Sequence, residues 1–117
     1  MKLATDSLTP VHWLAIGLAA LSGAIHLVLA IIVPIPALRV GFLLAGGGFF
    51  CGIALVLANY RRTVLYAVGI PFTGGQIVLW YVLVGPTPAT IELLDAIDKL
   101  AQVVLLGLLV LLYVRKR

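Results

Sequence analysis

Four long apolar runs, each closed by a short cluster of prolines, glycines or charges, leave this chain very few folds. The breakers are Pro34 and Pro36, then Asn59, Tyr60, Arg61 and Arg62, then Gly85, Pro86 and Pro88, and finally Arg115, Lys116 and Arg117. They bound apolar runs at 10–33, 37–58, 63–84 and 89–114. A helix needs roughly 20 such residues to cross about 30 Å of hydrocarbon, and each run supplies them. The runs lack the alternation of a membrane barrel, so helices are the remaining way to satisfy the backbone in lipid. The prediction is an all-α membrane protein, one domain over residues 1–117, with four transmembrane helices. Short connections make consecutive helices antiparallel neighbours in an up-down-up-down bundle. Thr87 followed by Pro88 suits the start of the fourth helix, as N-cap and first helical residue.

Composition agrees with that reading. The chain is 63% hydrophobic and 10% charged, against about 45–50% and about 25% in soluble domains. Its net charge of +4 does not mark a nucleic-acid partner. The basic residues form no face and sit between the apolar runs, where membrane topology uses them. The lone Cys51 excludes an internal disulfide, a CxxC pair and a thiolate metal site, and reads as a small packing residue. The first apolar run exceeds the 7–15 residues or so of a signal-peptide core and is followed by no clear small-residue cleavage site. It is therefore expected to be a retained helix.

Charge bias sets the expected orientation. Lys2, Arg61, Arg62, Arg115, Lys116 and Arg117 fall on one side of a four-span bundle, and Arg39 and Lys99 on the other. The richer side, with both termini, is expected in the cytoplasm of a plasma-membrane protein. Trp13 and Tyr60 then suit the inner interface, and Trp80 and Tyr81 the outer one. Ala19 with Gly23, and Gly48 with Gly52, have the small-xxx-small spacing that lets helices approach closely. Gly46, Gly47 and Gly48 read as packing residues too, since the run lacks the GK[ST] ending of a phosphate loop. Pro71, with Gly74 and Gly75, predicts a kink in the third helix.

Polar residues inside the spans carry the remaining information. Asp95, Asp98, Lys99 and Gln102 lie within about a 100° arc of the fourth helix, with Glu92 extending the stripe. Leu93, Ile97, Leu100 and Val104 form the opposite face. A charge facing hydrocarbon costs about 2.5–3.5 kcal/mol even on lenient scales, so the stripe should face the bundle interior or another subunit. Asp95 and Lys99 have the i,i+4 spacing of a same-helix pair. His26 in the first span and Gln76 in the third lie at similar depth. These positions predict a buried cluster of His26, Gln76, Asp98, Lys99 and Gln102 in the outer half, with Ser22 and Thr73 beside it. Such groups serve either as interhelical glue or as a proton or small-solute site.

Other chemistries fit less well. His12 and His26 are stacked about 21 Å apart along one helix, as haem ligands are in cytochrome b proteins. The other spans hold no histidine, so a haem would need two copies of the first helix. His12 beside Trp13 is more simply an interfacial residue. Ser22, His26 and Asp98 supply the residue types of a hydrolase, but no nucleophile elbow is present. No zinc spacing appears, and the two halves share no repeat.

The stretches "LTPVHWLAIGLAALSGAIHLVLA", "LLAGGGFFCGIALVLANYRRTVLYAVGIPFTGGQIVLWYV" and "DKLAQVVLL" cover nearly the whole chain. Their specific parts are Gly23-x-x-His26-Leu27, the Asn59–Arg62 loop, the Gly69–Gln76 segment and Asp98-Lys99-x-x-Gln102. The chain resembles a family of small four-helix membrane proteins of halophilic archaea that has no assigned function. The resemblance implies the four-helix architecture and a plasma-membrane location, and no activity.

The leading expectation is a non-enzymatic protein without cofactor or metal. It would sit in the lipid bilayer and pack with itself or with a larger membrane complex around the polar cluster. The alternative is a small transporter or channel for a proton or small solute using that cluster. The third reading is a haem-binding electron carrier formed by two copies.

Overall fold

The computed structural model describes residues 5–84 and 93–116. A short 3-10 turn at Thr5–Ser7 leads into α1 (Pro10–Ile32), α2 (Pro36–Leu57), α3 (Arg62–Val84) and α4 (Leu93–Lys116). All four are long and apolar enough to cross a membrane. The expected cap at Thr87 and Pro88, the start of the fourth span at 89, and the Glu92 end of the polar stripe lie outside the described residues.

Local chemistry explains where the helices begin and end. Thr9 is extended ahead of Pro10, whose fixed φ suits a first helical position. His12 reaches back, and its Nδ1 accepts the Thr9 N–H at 3.0 Å and lies 2.8 Å from the Thr9 hydroxyl. A first-turn donor that would otherwise go unmet is satisfied this way. Pro34 and Pro36 then stop α1. α2 ends in a Schellman turn: Tyr60 N–H bonds Leu55 O at 2.9 Å and Asn59 N–H bonds Val56 O at 3.0 Å. Asn59 takes the left-handed backbone that this turn needs, at φ 55°. Asparagine tolerates that conformation better than most side chains.

Each visible hairpin is tied by an arginine in the first turn of the second helix. Arg39 donates from Nε at 3.3 Å and Nη2 at 2.9 Å to Val33 O. Arg62 donates from Nε at 2.9 Å and Nη2 at 2.7 Å to Val56 O. A cation at a helix C-terminus meets both unsatisfied carbonyls and the negative end of the dipole. The two differ in setting. Arg39 is exposed, whereas Arg62 is buried and also donates to Ser7 Oγ at 2.7 Å. Arg62 is thus a structural clamp under the bundle as well as a loop charge.

Side-chain contacts give the topology. Gly23 of α1 lies against Phe49 and Phe50 of α2, and Gly46 against Leu27. Gly69 and Gly74 of α3 face Leu109 and Leu106 of α4, and Gln76 bonds Gln102. Ser22 of α1 bonds Asp98 of α4, while Ala15 packs in a core with Leu105 and Leu112. In each pair one number rises as the other falls, so neighbours are antiparallel and the ring closes α4 onto α1. Of the neighbouring pairs, α2 and α3 touch least. The core consists of Ala15, Phe49, Tyr66, Leu105 and Leu112. The outer surface stays apolar: Leu93, Ile97, Leu100 and Val104, expected to face lipid, are all exposed.

The tight α1–α2 seam uses Gly23, from one of the expected pairs, together with Gly46. A Cβ at Gly46 would lie 2.7 Å from Leu27 Cδ2 and 3.0 Å from Gly23 O. A Cβ at Gly23 would lie 2.9 Å from Phe50 Cε2. Gly48 instead admits the tip of Phe72 from α3, at 2.6 Å from its would-be Cβ. Gly47 and Gly52 meet nothing within 4 Å, so neither belongs to a seam. Ala19 is half-buried and packs on the core. Helix rotation decides this: Gly46 lies one turn from Phe42 and Phe49 on the inward face, and Gly47 is turned about 100° away. α3 continues through Pro71 without a break.

Gly46→Val should cost about 1–3 kcal/mol, because backbone at Gly23 O cannot retreat as a side chain can. Gly47→Ala should be neutral or stabilising by up to about 1 kcal/mol, as helix propensity dictates where space is open. Thermal unfolding in detergent compares them. In the same assay Arg62→Ala should lose about 1.5–3 kcal/mol, and Arg39→Ala should stay within about 0.5 kcal/mol of the parent.

Candidate functional site

The half of the bundle nearer the α1–α2 turn holds a buried polar network drawn from three helices. Asp98, on the inward face of α4, is 2% exposed. Its Oδ1 accepts the Ser22 hydroxyl of α1 at 2.6 Å. Its Oδ2 accepts Lys99 Nζ at 2.8 Å. Lys99 also donates to Gln102 Oε1 at 3.1 Å. Gln102 Nε2 donates to Ser22 Oγ at 3.2 Å and to Gln76 Oε1 of α3 at 2.9 Å. Gln76 Nε2 ends the chain on Phe72 O at 3.0 Å.

Donor and acceptor roles along this chain are forced. Lys99 only donates, so it must meet an oxygen of Gln102. The Gln102 amide nitrogen then faces Ser22 and Gln76, and uses both its hydrogens. Gln76 must therefore offer oxygen to Gln102, which turns its nitrogen toward a carbonyl. Flipping either amide would set donor against donor. The network is complete: the carboxylate, the ammonium and both amides are paired, as buried polar groups must be.

His26 joins at the edge. Its Nδ1 lies 2.7 Å from Ser22 O, one turn back on α1, and a carbonyl only accepts, so Nδ1 carries the hydrogen. It lies 3.5 Å from Ser22 Oγ and 3.9 Å from Asp98 Oδ1. The ring packs against Phe42 edge-on and Phe49 at a tilt. This geometry is wrong for a Ser–His–Asp hydrolase. The histidine already donates from the nitrogen nearest Ser22, and the serine proton goes to Asp98. It also disfavours a haem between two copies of α1. His12 and His26 are both buried inside the bundle, His12 beside Tyr66, rather than on a shared outer face.

Two expected neighbours stand apart. Lys99 pairs with Asp98 and Gln102, not with Asp95, which is only half-buried. The long lysine stem follows the buried charge, where a partner matters more. Its ammonium also sits 5.7 Å from the Trp80 ring centroid, so Trp80 turns toward this cation. Thr73 is buried beside the network, but its hydroxyl has no hydrogen-bond partner among the described residues. It lines a separate, mainly apolar cavity of ≈ 320 Å³ in the other half of the bundle.

Reading spans by depth leaves out the polar residues at the opposite end of the bundle, around Arg62 and Tyr66. Arg62, Tyr66, Thr73 and Gln76 recur at intervals of four, seven and three along α3. That spacing puts them on one stripe. The stripe was the available signal that Arg62, unlike exposed Arg61, turns inward. His12, Ala15, Ala19, Ser22 and His26 form the matching stripe on α1.

No curated protein and no solved structure matches the chain. One family model does match, over residues 2–113, and the chain accordingly belongs to that family of unknown function, DUF7475.

Proposed function

We propose that this protein is a non-enzymatic, four-span membrane protein in which the outer polar network is an interhelical clasp. The observation that carries this reading is the completeness of the network. A conduction or transport site has to exchange partners with its cargo. Here Asp98, Lys99, Gln102 and Gln76 already satisfy one another, and the ≈ 320 Å³ cavity in the bundle is lined by none of them. The clasp holds α1, α3 and α4 in register, and the protein packs with a second copy or with a larger membrane complex. Outward glycines with open space, Gly47 and Gly75, support close approach by another helix. The charge bias supports both termini in the cytoplasm. The resemblance to halophilic archaeal proteins supports the plasma membrane of such a cell.

A clasp and a transport site respond differently to the same changes. Asp98→Asn strands Lys99 in the bundle and should cost on the order of 3 kcal/mol in thermal unfolding. Lys99→Met should cost a similar amount. The double variant should lose clearly less than the sum, because no uncompensated charge remains. Liposomes containing the protein and a pH-sensitive dye should show no proton flux above empty liposomes. A flux abolished by Asp98→Asn would reverse this reading in favour of transport.

Orientation has its own test, in a Cys51→Ser background. Ile35→Cys should react with a membrane-impermeant maleimide on intact cells, and Asp6→Cys only after permeabilisation. The opposite pattern would invert the topology.

A further inference from the structure

The inner half of the bundle is built differently from the outer half. Where α2 and α3 diverge, the ≈ 320 Å³ cavity opens among all four helices. Phe49 and Phe72, with ring centroids 5.1 Å apart, both line it. Its mouth is marked by Cys51 of α2 and Val68 of α3, which line it and are also exposed on the apolar surface. The volume falls at the lower end of small-molecule pockets, about 300–1,000 Å³.

Three polar side chains, His12, Tyr66 and Thr73, break the apolar lining, and the last two carry hydroxyls. Tyr66 and Thr73 are 2% and 1% exposed, and both line the cavity. Neither the Tyr66 hydroxyl nor the Thr73 hydroxyl has a hydrogen-bond partner among the described residues. Buried hydroxyls are ordinarily paired, and an unmet one is costly. Thr73 is especially telling, since a helical threonine has its own backbone carbonyl one turn back as a ready partner. Seven residues separate the two, so they sit about 10 Å apart along α3 on one face. Each has a hydrogen to donate, and an oxygen-only acceptor answers it.

We propose that this cavity binds a lipophilic molecule carrying a carbonyl, which enters sideways from the bilayer between α2 and α3. The apolar body fills the space among Phe49, Phe72 and Leu109, and the carbonyl oxygen accepts from Tyr66 or Thr73. Carbonyl-bearing lipophiles with acceptors at both ends use both hydroxyls. Lateral access rests on the membrane placement proposed above. The binding itself concerns residues outside the clasp, so it is tested separately.

Benzophenone is a suitable probe, because it is a compact apolar ketone that bonds covalently to nearby C–H groups under ultraviolet light. Excited at its carbonyl, it abstracts a hydrogen atom, and the two resulting radicals join as a C–C bond at a tertiary alcohol. Peptide mass spectrometry on the full-length protein in lipid nanodiscs should place the adduct on cavity-lining segments of α2 and α3. The Tyr66→Phe/Thr73→Val double variant should cut labelling about tenfold. Gly52→Leu fills the space, since a Cβ there meets nothing within 4 Å, and should abolish the adduct while keeping the fold. Diphenylmethane, the same shape without the oxygen, should compete at least about tenfold more weakly than unlabelled ketone. Adducts scattered over lipid-facing residues, or unchanged by Gly52→Leu, would overturn the pocket. Equal competition by diphenylmethane, or labelling unaffected by the hydroxyl variants, would overturn the carbonyl assignment.

Discussion

A carboxylate buried inside an apolar bundle is the constraint on which the packing of this protein turns. Asp98 cannot stay there ionised without partners, because the cost of an isolated buried charge far exceeds the stability of a small domain. It takes one from α1, the Ser22 hydroxyl, and one from its own helix, the Lys99 ammonium. The first of these bonds sets how far along α4 the first helix must sit. One turn further, Gln102 extends the same demand to α3 through Gln76. Apolar packing alone tolerates helices sliding past one another. A chain of forced donors and acceptors does not, because a shift of one turn would take Ser22 from Asp98 and Gln76 from Gln102 together. α2 needs no polar bond of this kind, since Gly23 and Gly46 already bring its backbone against α1.

Such a network contributes more to uniqueness than to raw stability. Interhelical hydrogen bonds in membranes are worth about 0.6 kcal/mol on average, and a buried ion pair often does no better than well-packed hydrophobic residues. What it does supply is a penalty on every alternative register. The opposite end of the bundle has a similar device in Arg62, which ties the end of α2 to the start of α3 and to Ser7. Polar fixation at both ends leaves the middle free to be apolar, and it is there that α2 and α3 are allowed to part.

The helices were legible because proline, asparagine and paired charges interrupt apolar runs at the points where chain reversal needs them. The polar residues that share a depth were legible for a related reason. A helix rises uniformly, so counting from the breakers ranks side chains along the bundle axis. What counting cannot supply is rotation and side-chain reach. Gly46 and Gly47 are adjacent in sequence, yet one touches Leu27 and the other touches nothing. Asp95 and Asp98 share a stripe, but only Asp98 is deep enough to capture Lys99. Thr73 has the right depth, yet it lines the cavity and takes no bond from the network. His12 looked interfacial because it precedes Trp13, and its place is decided instead by the Thr9 backbone and Tyr66. The pattern that resolves these cases is the alternating three–four spacing on α1 and α3, which separates inward from outward residues even where every residue is apolar.

Glycine settles the contrast between the two halves. At Gly23 and Gly46 the missing side chain lets two backbones close a seam, and at Gly48 it admits the Phe72 ring. At Gly52 it leaves space that nothing fills. Glycine weakens a helix by about 0.5–1 kcal/mol relative to alanine, a cost offset at the first three positions by close packing. At Gly52 no contact offsets it, and any larger apolar side chain would both strengthen the helix and occupy the void. A void of this volume would cost several kcal/mol if nothing entered it, at about 24 cal/mol per Å³. The unmet hydroxyls of Tyr66 and Thr73 add to that cost. A bundle that closes one seam to backbone contact and leaves another open at such expense is poorly explained as packing alone. The proposed occupant answers the last two of these costs: its apolar body fills the space, and its acceptor oxygen meets one of the two hydroxyls, with a second acceptor needed for the other.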